Sequence, residues 1–267
     1  MYKLRSGRGK YLKKKKTSPV QKLLGIGLLA LAVFLGMRLF GGLPPLEESP
    51  WSPQDFSWQD GFLVSPDVKT VKGIDVSSHQ QEIDWQQVKA AGVEFVFVRL
   101  GYRGYETGVL TEDPRALENL DGAKAAGVRV GAYLFSQAIT VAEAEEEAAF
   151  AQKILGDRQL DLPVVFDWEY VSQEARTGGM DRRTLTDCTL AFCRKIEGAG
   201  YEAMIYFNGF QARELLYLEE LTRYPFWLAQ YDHSVTFPCR VAYWQYTDSG
   251  SIPGIEEPVD LNMMFPA

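Results

Sequence analysis

The chain has 267 residues, a formal net charge of -7, and 46% hydrophobic and 24% charged residues, which is ordinary for a folded domain. Residues 1–45 hold ten basic residues and no acidic one, so the rest of the chain carries a net charge of -17. A domain this acidic lacks the basic surface that nucleic-acid binding requires, and it repels anionic polymers. We therefore expect a neutral or dispersed substrate and no nucleic-acid partner.

The N-terminal region predicts a membrane anchor. Residues 1–22 are basic and polar, and the run Leu23–Met37 has no charge. Counted through Leu43, the apolar segment has 21 residues, enough to span a membrane with Arg38 snorkelling near one edge. No small-x-small site follows it, which favours an uncleaved anchor over a cleaved signal peptide.

The charge bias sets the expected orientation. Because Lys-rich segments stay in the cytoplasm, the cluster Lys13–Lys16 predicts a cytoplasmic tail at 1–22 and a transmembrane anchor at 23–43. The rest of the chain then lies outside the cytoplasm on a single-pass protein of the cell membrane. Residues 44–71 are rich in Pro, Ser, Asp and Trp without clear periodicity and are interpreted as a linker. Packing of its aromatic residues on the following domain is the alternative.

From Gly73 onward, apolar runs alternate with helical stretches, which favours parallel βαβ units. The eight strand candidates are GIDVSS, EFVFVRLGY, RVGAYLFSQ, LPVVFDWEY, EAMIYFNG, PFWLAQY, VAYWQYT and VDLNMM. Since the last three are closely spaced, we predict a TIM-like β/α barrel of 72–267 with fewer helices than strands. An open doubly wound sheet is the alternative, but no GxGxxG or Walker loop supports it.

Capping residues mark the helices between these strands. Asp84 caps a helix that stops at Gly92, and Thr140 with Glu143 forms a capping box before another. A further helix is expected from about Asp181 to Gly200.

Two acidic residues follow a buried strand. The apolar run Val164–Phe166 leads directly into Asp167 and, two residues later, Glu169. Residues i and i+2 of a strand point to the same side, with Cα atoms about 6.5–7 Å apart. The carboxyl end of a barrel strand is where barrel enzymes place their sites. Two neighbouring carboxyl groups push their pKa values apart, and glycoside hydrolysis needs such a pair; the alternative is a solvated strand end.

Other strands add polar residues at comparable positions. The first strand carries Asp75, and the last carries Asp260 and Asn262. Because the first and last strands of a closed barrel are neighbours, Asp75 and Asp260 should meet. Four carboxylates gathered in one place indicate a functional site. Aromatic residues suited to stacking on sugar rings, or to core packing, share these strands: Tyr133, Phe135, Tyr206, Trp227, Tyr231, Trp244 and Tyr246.

Six motifs together resemble the lysozymes of glycoside hydrolase family 25. They are GIDVSSHQ at 73–80, GAYLFS at 131–136, VVFDWE at 164–169, WLAQY at 227–231, YWQYT at 243–247 and VDLN at 259–262. The resemblance implies an irregular β/α barrel. It also implies a peptidoglycan hydrolase that cleaves the β-1,4 bond between N-acetylmuramic acid and N-acetylglucosamine. Peptidoglycan glycan strands are then the partner, and no cofactor is implied.

The resemblance also assigns roles. Glu169 is the implied general acid/base, Asp167 stabilises the intermediate, and Asp75 and Asp260 orient and tune these two. The expected substrate-binding residues are Tyr133, Phe135, Tyr206, Trp227, Gln230 and Gln245. The chain departs from the family at one position: it has Tyr133-Leu134-Phe135 where the family usually has Tyr-His-Phe, so Leu134 replaces the histidine. The alternatives to a muramidase are a non-catalytic wall-binding barrel and a glycosidase acting on chitin-like chains.

The histidines and cysteines do not predict a metal site. No CxxC or Cys/His metal spacing is present, and His79 and His233 are the only histidines. Cys188 falls on an apolar stripe, and Cys193 points elsewhere on the same predicted helix, so a bridge between them is not expected. A disulfide that involves Cys239 stays an open alternative.

Overall fold

The computed structural model describes residues 43–52 and 55–265. The predicted cytoplasmic tail and all of the predicted anchor except Leu43 lie outside these residues. Within the described ranges, no helix has both the length and the apolar character needed to cross a membrane.

Eight strands close into a barrel, as the sequence predicts. Two short strands precede it, and a third short strand pairs antiparallel with the end of one barrel strand. The strands are β1 Ser57–Gln59, β2 Phe62–Val64, β3 Val71–Val76, β4 Phe95–Arg103, β5 Leu110–Glu112, β6 Arg129–Ser136, β7 Val164–Trp168, β8 Ala203–Asn208, β9 Phe226–Ala229, β10 Tyr243–Gly250 and β11 Val259–Met264. The barrel order is β3, β4, β6, β7, β8, β9, β10 and β11, and β11 returns to pair with β3.

The last strand differs from the parallel arrangement expected from the sequence. Neighbouring barrel strands from β3 through β10 are parallel, whereas β11 runs antiparallel to both β10 and β3. Only eight residues separate β10 from β11, too few for the helical crossover that a parallel connection needs, so the chain reverses. Consequently Asp260 lies near the start of its strand, at the same barrel end as the carboxyl ends of the parallel strands.

Four α-helices cover the barrel over the described chain: α1 Trp85–Ala90, α2 Ala116–Ala125, α3 Val141–Leu155 and α4 Arg182–Gly198. The predicted caps are present: the side chain of Asp84 accepts from two backbone amides of α1, and that of Thr140 accepts from Glu143. The capping box is incomplete, since the Glu143 carboxylate accepts from Ile139 N and pairs with Arg176.

The core has two layers because strand side chains alternate between the two faces of the barrel wall. The outer layer lies between barrel and helices. The inner layer fills the barrel below the site with the side chains of Phe95, Phe97, Tyr133, Leu162, Val165, Met204, Tyr206, Trp227 and Tyr243. Glycine makes room for these rings: a Cβ at Gly73 would lie 2.2 Å from the Phe95 ring, and one at Gly131 would lie 2.5 Å from that of Phe97.

The segment interpreted as a linker packs on the barrel instead, and residues from Leu43 onward form one compact unit. We call residues 44–58 the strap; 53 and 54 are not described. Ser49 N donates to Pro238 O at 2.8 Å, and Trp51 stacks on Phe265 with ring centroids 4.5 Å apart. The aromatic residues of the strap bury apolar surface against the barrel, which explains why a segment without periodicity is ordered there.

Candidate active site

Strand β7 delivers the predicted carboxyl pair to the mouth of the barrel. Val165 points into the barrel interior, Phe166 and Trp168 point to the outer layer, and Asp167 follows Val165 on the inner side. The indole Nε1 of Trp168 donates to Ala138 O at 3.1 Å, which anchors the outward side chain. Glu169, just beyond the strand, is near enough to Asp167 for its charge to raise the pKa of that carboxyl group.

The predicted meeting of Asp75 and Asp260 is confirmed. The two are direct register partners across the antiparallel pair β3–β11. Asn262 Nδ2 donates to Asp75 Oδ1 at 2.7 Å. Gln245 Nε2 donates to Asp75 Oδ1 at 2.9 Å and to Asp260 Oδ2 at 3.3 Å. One amide group therefore links the two carboxylates.

Two tyrosines fix the orientation of that amide. The hydroxyls of Tyr206 and Tyr231 donate to Gln245 Oε1 at 2.9 Å and 3.1 Å. Because Oε1 accepts both bonds, the NH₂ group of Gln245 must face Asp75 and Asp260. Tyr206 is buried, whereas 54% of the Tyr231 side chain is exposed at the rim.

These residues surround one cavity of about 320 Å³, a size typical of small-ligand sites. Its lining consists of Asp75, Ser77, His79, Gln80, Arg99, Tyr133, Phe135, Asp167, Glu169, Tyr206, Trp227, Tyr231, Gln245, Asp248, Pro258 and Asp260. A second cavity of about 980 Å³ adjoins it and shares His79, Arg99 and Phe135. The two form a cleft longer than one small ligand requires.

The carboxyl groups have raised pKa values. Burial raises the pKa of Asp167 well above its ordinary value, and the charges of Glu169 and Asp75 add to the rise, opposed by Arg99. Burial and the charge of Asp260 raise the pKa of Asp75 and also that of Glu169. Burial also raises the pKa of Asp260. The site therefore holds protons at a pH where exposed carboxyl groups have lost them.

Arg99 is the one Arg or Lys side chain among the residues that line this cavity. Its Nε donates to Asp113 Oδ2 at 2.8 Å, its Nη2 donates to Ser78 Oγ at 3.3 Å, and its guanidinium lies over the Tyr102 ring. The ion pair is largely buried. Arg99 is thus fixed in place as a positive charge that partly offsets the carboxylates.

A network behind β7 holds the backbone of Glu169. Gln137 Nε2 donates to Glu169 O at 2.7 Å, and Thr177 Oγ1 donates to Gln137 Oε1 at 3.0 Å. Arg176 Nη1 donates to Gln137 O at 2.6 Å and pairs with Glu143. Gln137 and Thr177 are fully buried, so these bonds are shielded from water.

The structure brings together nine of the ten predicted site residues. Gln230 is the exception: its side chain bonds to Ser234 O and Thr236 Oγ1 within its own loop and does not line the cavity. Trp227 lines the cavity but is almost fully buried, and its Nε1 donates to Asn262 Oδ1 at 2.8 Å. Leu134 is buried in the outer layer, so the departure from Tyr-His-Phe does not alter the cavity wall.

Sequence reasoning did not assign several residues that line the cavity. Arg99 carried a signal, because it is a charge within the apolar run Phe95–Leu100. Tyr231 was recognised only as one of several aromatics. Ser77 lies in the motif at 73–80 and Asp248 directly follows the motif at 243–247, but neither motif alone shows that these side chains line the cavity. His79 lines the cavity, whereas His233 contacts Trp58 outside it.

The cysteines lie away from the cavity. Cys188 and Cys193 are buried in the outer layer on α4, and Cys239 is partly buried beside the strap. All three are free thiols in this structure.

Comparison with known proteins places this geometry in a family. Residues 74–255 match the family described as Glycosyl hydrolases family 25. The chain is 27% identical to the autolytic lysozyme of Clostridium acetobutylicum over 194 residues, which cover 72% of this chain and 55% of that protein. It is also 27% identical to lysozyme M1 of Streptomyces globisporus over 232 residues, which cover 76% and 74% of the two chains.

A solved structure supports the fold. The modular autolysin LytC from Streptococcus pneumoniae, solved in complex with a synthetic peptidoglycan ligand, superposes with a TM-score of 0.66 at 24% identity. The match covers 80% of this chain and 52% of the autolysin, so the chain spans about half the length of that protein. Because the family match extends over residues 74–255, well over half of its length, the chain belongs to glycosyl hydrolase family 25 and is a glycoside hydrolase.

Proposed function

We propose that this chain is an N-acetylmuramidase, which cleaves the β-1,4 bond between N-acetylmuramic acid and N-acetylglucosamine in peptidoglycan. The similar proteins from Clostridium and Streptomyces are named lysozymes, and LytC was solved with a peptidoglycan ligand. The observation that carries the proposal is the carboxyl pair at the end of β7. Oδ1 of the buried Asp167 has no hydrogen-bond partner among the described residues, and Glu169 beside it has a raised pKa.

Glu169 is the proposed general acid. It is half-buried at the mouth of the cavity, where burial and the charge of Asp260 raise its pKa. A raised pKa keeps the carboxyl protonated closer to neutral pH, as an acid that must protonate a leaving glycosidic oxygen requires. After the bond breaks, the same group, now ionised, accepts a proton from the incoming water.

Asp167 is the proposed stabiliser of the intermediate. An N-acetylated sugar carries an amide N–H that can donate to the unpartnered Oδ1 of Asp167. A hydrogen bond to the ionised form favours that form, so substrate binding opposes the effect of burial on Asp167. With Asp167 ionised, the proton that the reaction needs stays on Glu169. The acetamido oxygen, oriented by Asp167, attacks the anomeric carbon as the leaving oxygen takes the proton from Glu169.

Asp75 and Asp260 support this pair. Both face the same cavity, and the charge of Asp260 contributes directly to the raised pKa of Glu169. Gln245 holds them in position through its amide hydrogens. We assign Asp75 and Asp260 to tuning Glu169 and binding sugar hydroxyls.

The rest of the cavity suits a glycan. Tyr133, Phe135, Tyr206 and Tyr231 line it beside the carboxylates, which provides aromatic faces for sugar rings and acceptors for hydroxyl groups. No observation favours chitin-like chains over peptidoglycan. We further propose that the domain works outside the cytoplasm, anchored by the apolar segment 23–43, since peptidoglycan lies beyond the membrane.

The bond assignment is tested by digesting purified sacculi with the full-length protein and reducing the new sugar ends with borohydride. A muramidase yields reduced muramic acid, whereas cleavage of the other glycosidic bond yields reduced glucosamine. A parallel digestion of chitin oligosaccharides, expected to be slow, distinguishes the alternative substrate. Reduced glucosamine alone, or faster cleavage of chitin oligosaccharides, contradicts the proposal.

A further inference from the structure

The loop 230–236 carries a rim residue of the cavity. Tyr231 reaches from this loop to Gln245, the amide that holds Asp75 and Asp260. The loop is closed on itself by Gln230, whose side chain bonds to Ser234 O at 3.0 Å and Thr236 Oγ1 at 2.9 Å. Because more than half of the Tyr231 side chain is exposed, burial contributes little to fixing its position, and the loop must do so.

Two aromatic residues of the strap hold this loop from outside. Trp58 Nε1 donates to His233 Nδ1 at 2.7 Å, and the Trp58 ring packs edge-on against Tyr246 with centroids 5.8 Å apart. Phe56 packs edge-on against Trp244 at 5.2 Å. The indole Nε1 of Trp244 in turn donates to the backbone carbonyl at the start of the loop at 2.8 Å. The strap therefore fixes both the beginning and the middle of the loop.

The strap lies outside the segment that matches the family, which begins at residue 74. The contact between Trp58 and His233 joins residues 175 positions apart, so it forms only when the strap is docked. We propose that Trp58 is a positioning residue for the glycosidase reaction: it holds His233, and through loop 230–236 it sets the Tyr231 hydroxyl on Gln245. This inference rests on the proposed function, because it concerns binding at the same cavity.

The expected kinetic effect is specific. When the loop loosens, Gln245 Oε1 still accepts from the buried Tyr206, so Asp75 and Asp260 keep their donor and the chemical step is little changed. Tyr231, however, no longer presents a fixed face to the substrate at the rim. Loss of the contact between Trp58 and His233 should therefore raise KM much more than it lowers kcat.

A double-mutant cycle on the full-length protein with soluble peptidoglycan fragments tests this. Trp58→Ala should raise KM about 2- to 10-fold, the range for one lost hydrogen bond, with kcat within about 2-fold of wild type. Tyr231→Phe should raise KM by a similar factor. If Trp58 acts through Tyr231, adding Tyr231→Phe to Trp58→Ala causes no further rise, since residues in one network are not additive. His233→Ala, an exposed change on the loop itself, should reproduce Trp58→Ala and serves if that variant folds poorly.

Glu47→Gln is the control, because Glu47 joins the strap to the barrel through an exposed ion pair with Arg240 that does not touch the loop. It should leave KM at the wild-type value, and Tyr231→Phe should keep its full effect on KM in that background. If the effects of Trp58→Ala and Tyr231→Phe on KM multiply in the double variant, the inference is overturned. An unchanged KM in both Trp58→Ala and His233→Ala would also overturn it. A wild-type protein that fails to cleave peptidoglycan would instead refute the proposed function.

Discussion

Asp75 and Asp260 face each other across the antiparallel strands β3 and β11, and both accept a hydrogen bond from the side-chain amide of Gln245. Two like charges this close are tolerated because donors compensate them and because burial raises their pKa values. The short connection between β10 and β11 reverses the last strand and therefore delivers Asp260 to the barrel end that carries the candidate site.

Replacing Gln245 with methionine removes both donor and acceptor while keeping a similar shape. The carboxylates of Asp75 and Asp260 lose a shared donor, and two tyrosine hydroxyls lose their acceptor. We expect Gln245→Met to lower the free energy of unfolding by about 1–3 kcal/mol, the cost of buried polar groups left unpaired, and to reduce kcat/KM. Urea unfolding and initial rates measure the two effects. Gln152→Met, which removes one exposed hydrogen bond on α3, should leave the rate at the wild-type value.

The pH profile should depend on Asp260. Glu169 must be protonated to act as an acid, so activity falls as pH rises through its pKa. Because the charge of Asp260 raises that pKa, Asp260→Asn should move the alkaline limb of kcat/KM to lower pH. Asp121→Asn, on the outer surface of α2, is the control and should leave the limb in place. An alkaline limb that stays fixed in Asp260→Asn would show that this charge does not act on the titrating acid.

The roles proposed for Asp167 and Glu169 predict the stereochemical course. A nucleophile that adds to the sugar and is then displaced by water gives retention, whereas a water activated by a general base inverts the centre. Because the acetamido group makes the first displacement and water makes the second, we expect net retention. Proton NMR of the first-formed reducing sugar should show the β-anomer. An initial α-anomer would mean inversion, and Asp167 would then be a general base.

Asp167→Asn should separate binding from chemistry. The amide keeps the shape of the side chain but cannot carry the negative charge that stabilises the intermediate. We expect a severe loss of kcat with substrate binding largely retained, measured by turnover and by equilibrium binding of a glycan fragment. Equal losses in both quantities would indicate a binding role alone.

The membrane topology can be tested independently of activity. The ten-to-zero excess of basic residues before residue 46, beside a 21-residue apolar segment, predicts that the protein stays in the membrane with its N-terminus inside. Protease added to intact protoplasts should remove the barrel domain. Protection of the domain, in protoplasts shown to be intact by a cytoplasmic marker, would contradict the topology.

Much of the barrel could be predicted because its strands are buried on both faces and therefore appear in the sequence as apolar runs. The same pattern located Asp167 and Asp75, since a carboxylate inside a strand of mainly apolar residues is conspicuous. Two-residue periodicity then placed Asp167 and Glu169 on one side, and barrel closure brought Asp260 to Asp75. Each of these inferences uses only local spacing and neighbouring strands.

Other features depend on contacts that local spacing does not encode. The strap has no periodicity, and its order comes from Trp51 and Phe56 packing on distant barrel residues. Gln230 follows its strand directly, as a site residue would, but backbone and side-chain partners in its own loop turn it away. The hydrogen bond from Trp58 to His233 joins two segments that only the folded chain brings together.

Glu169→Gln is the most direct test of the account. The substitution keeps the shape of the side chain and removes the proton that the reaction needs, while a strand-end position contributes little core packing. We expect a folded protein, shown by a wild-type Tm, whose rate of sacculus lysis is lower by about 10²–10⁴-fold. Near-normal lysis by the folded Glu169→Gln protein would contradict the assignment of Glu169 as the catalytic acid.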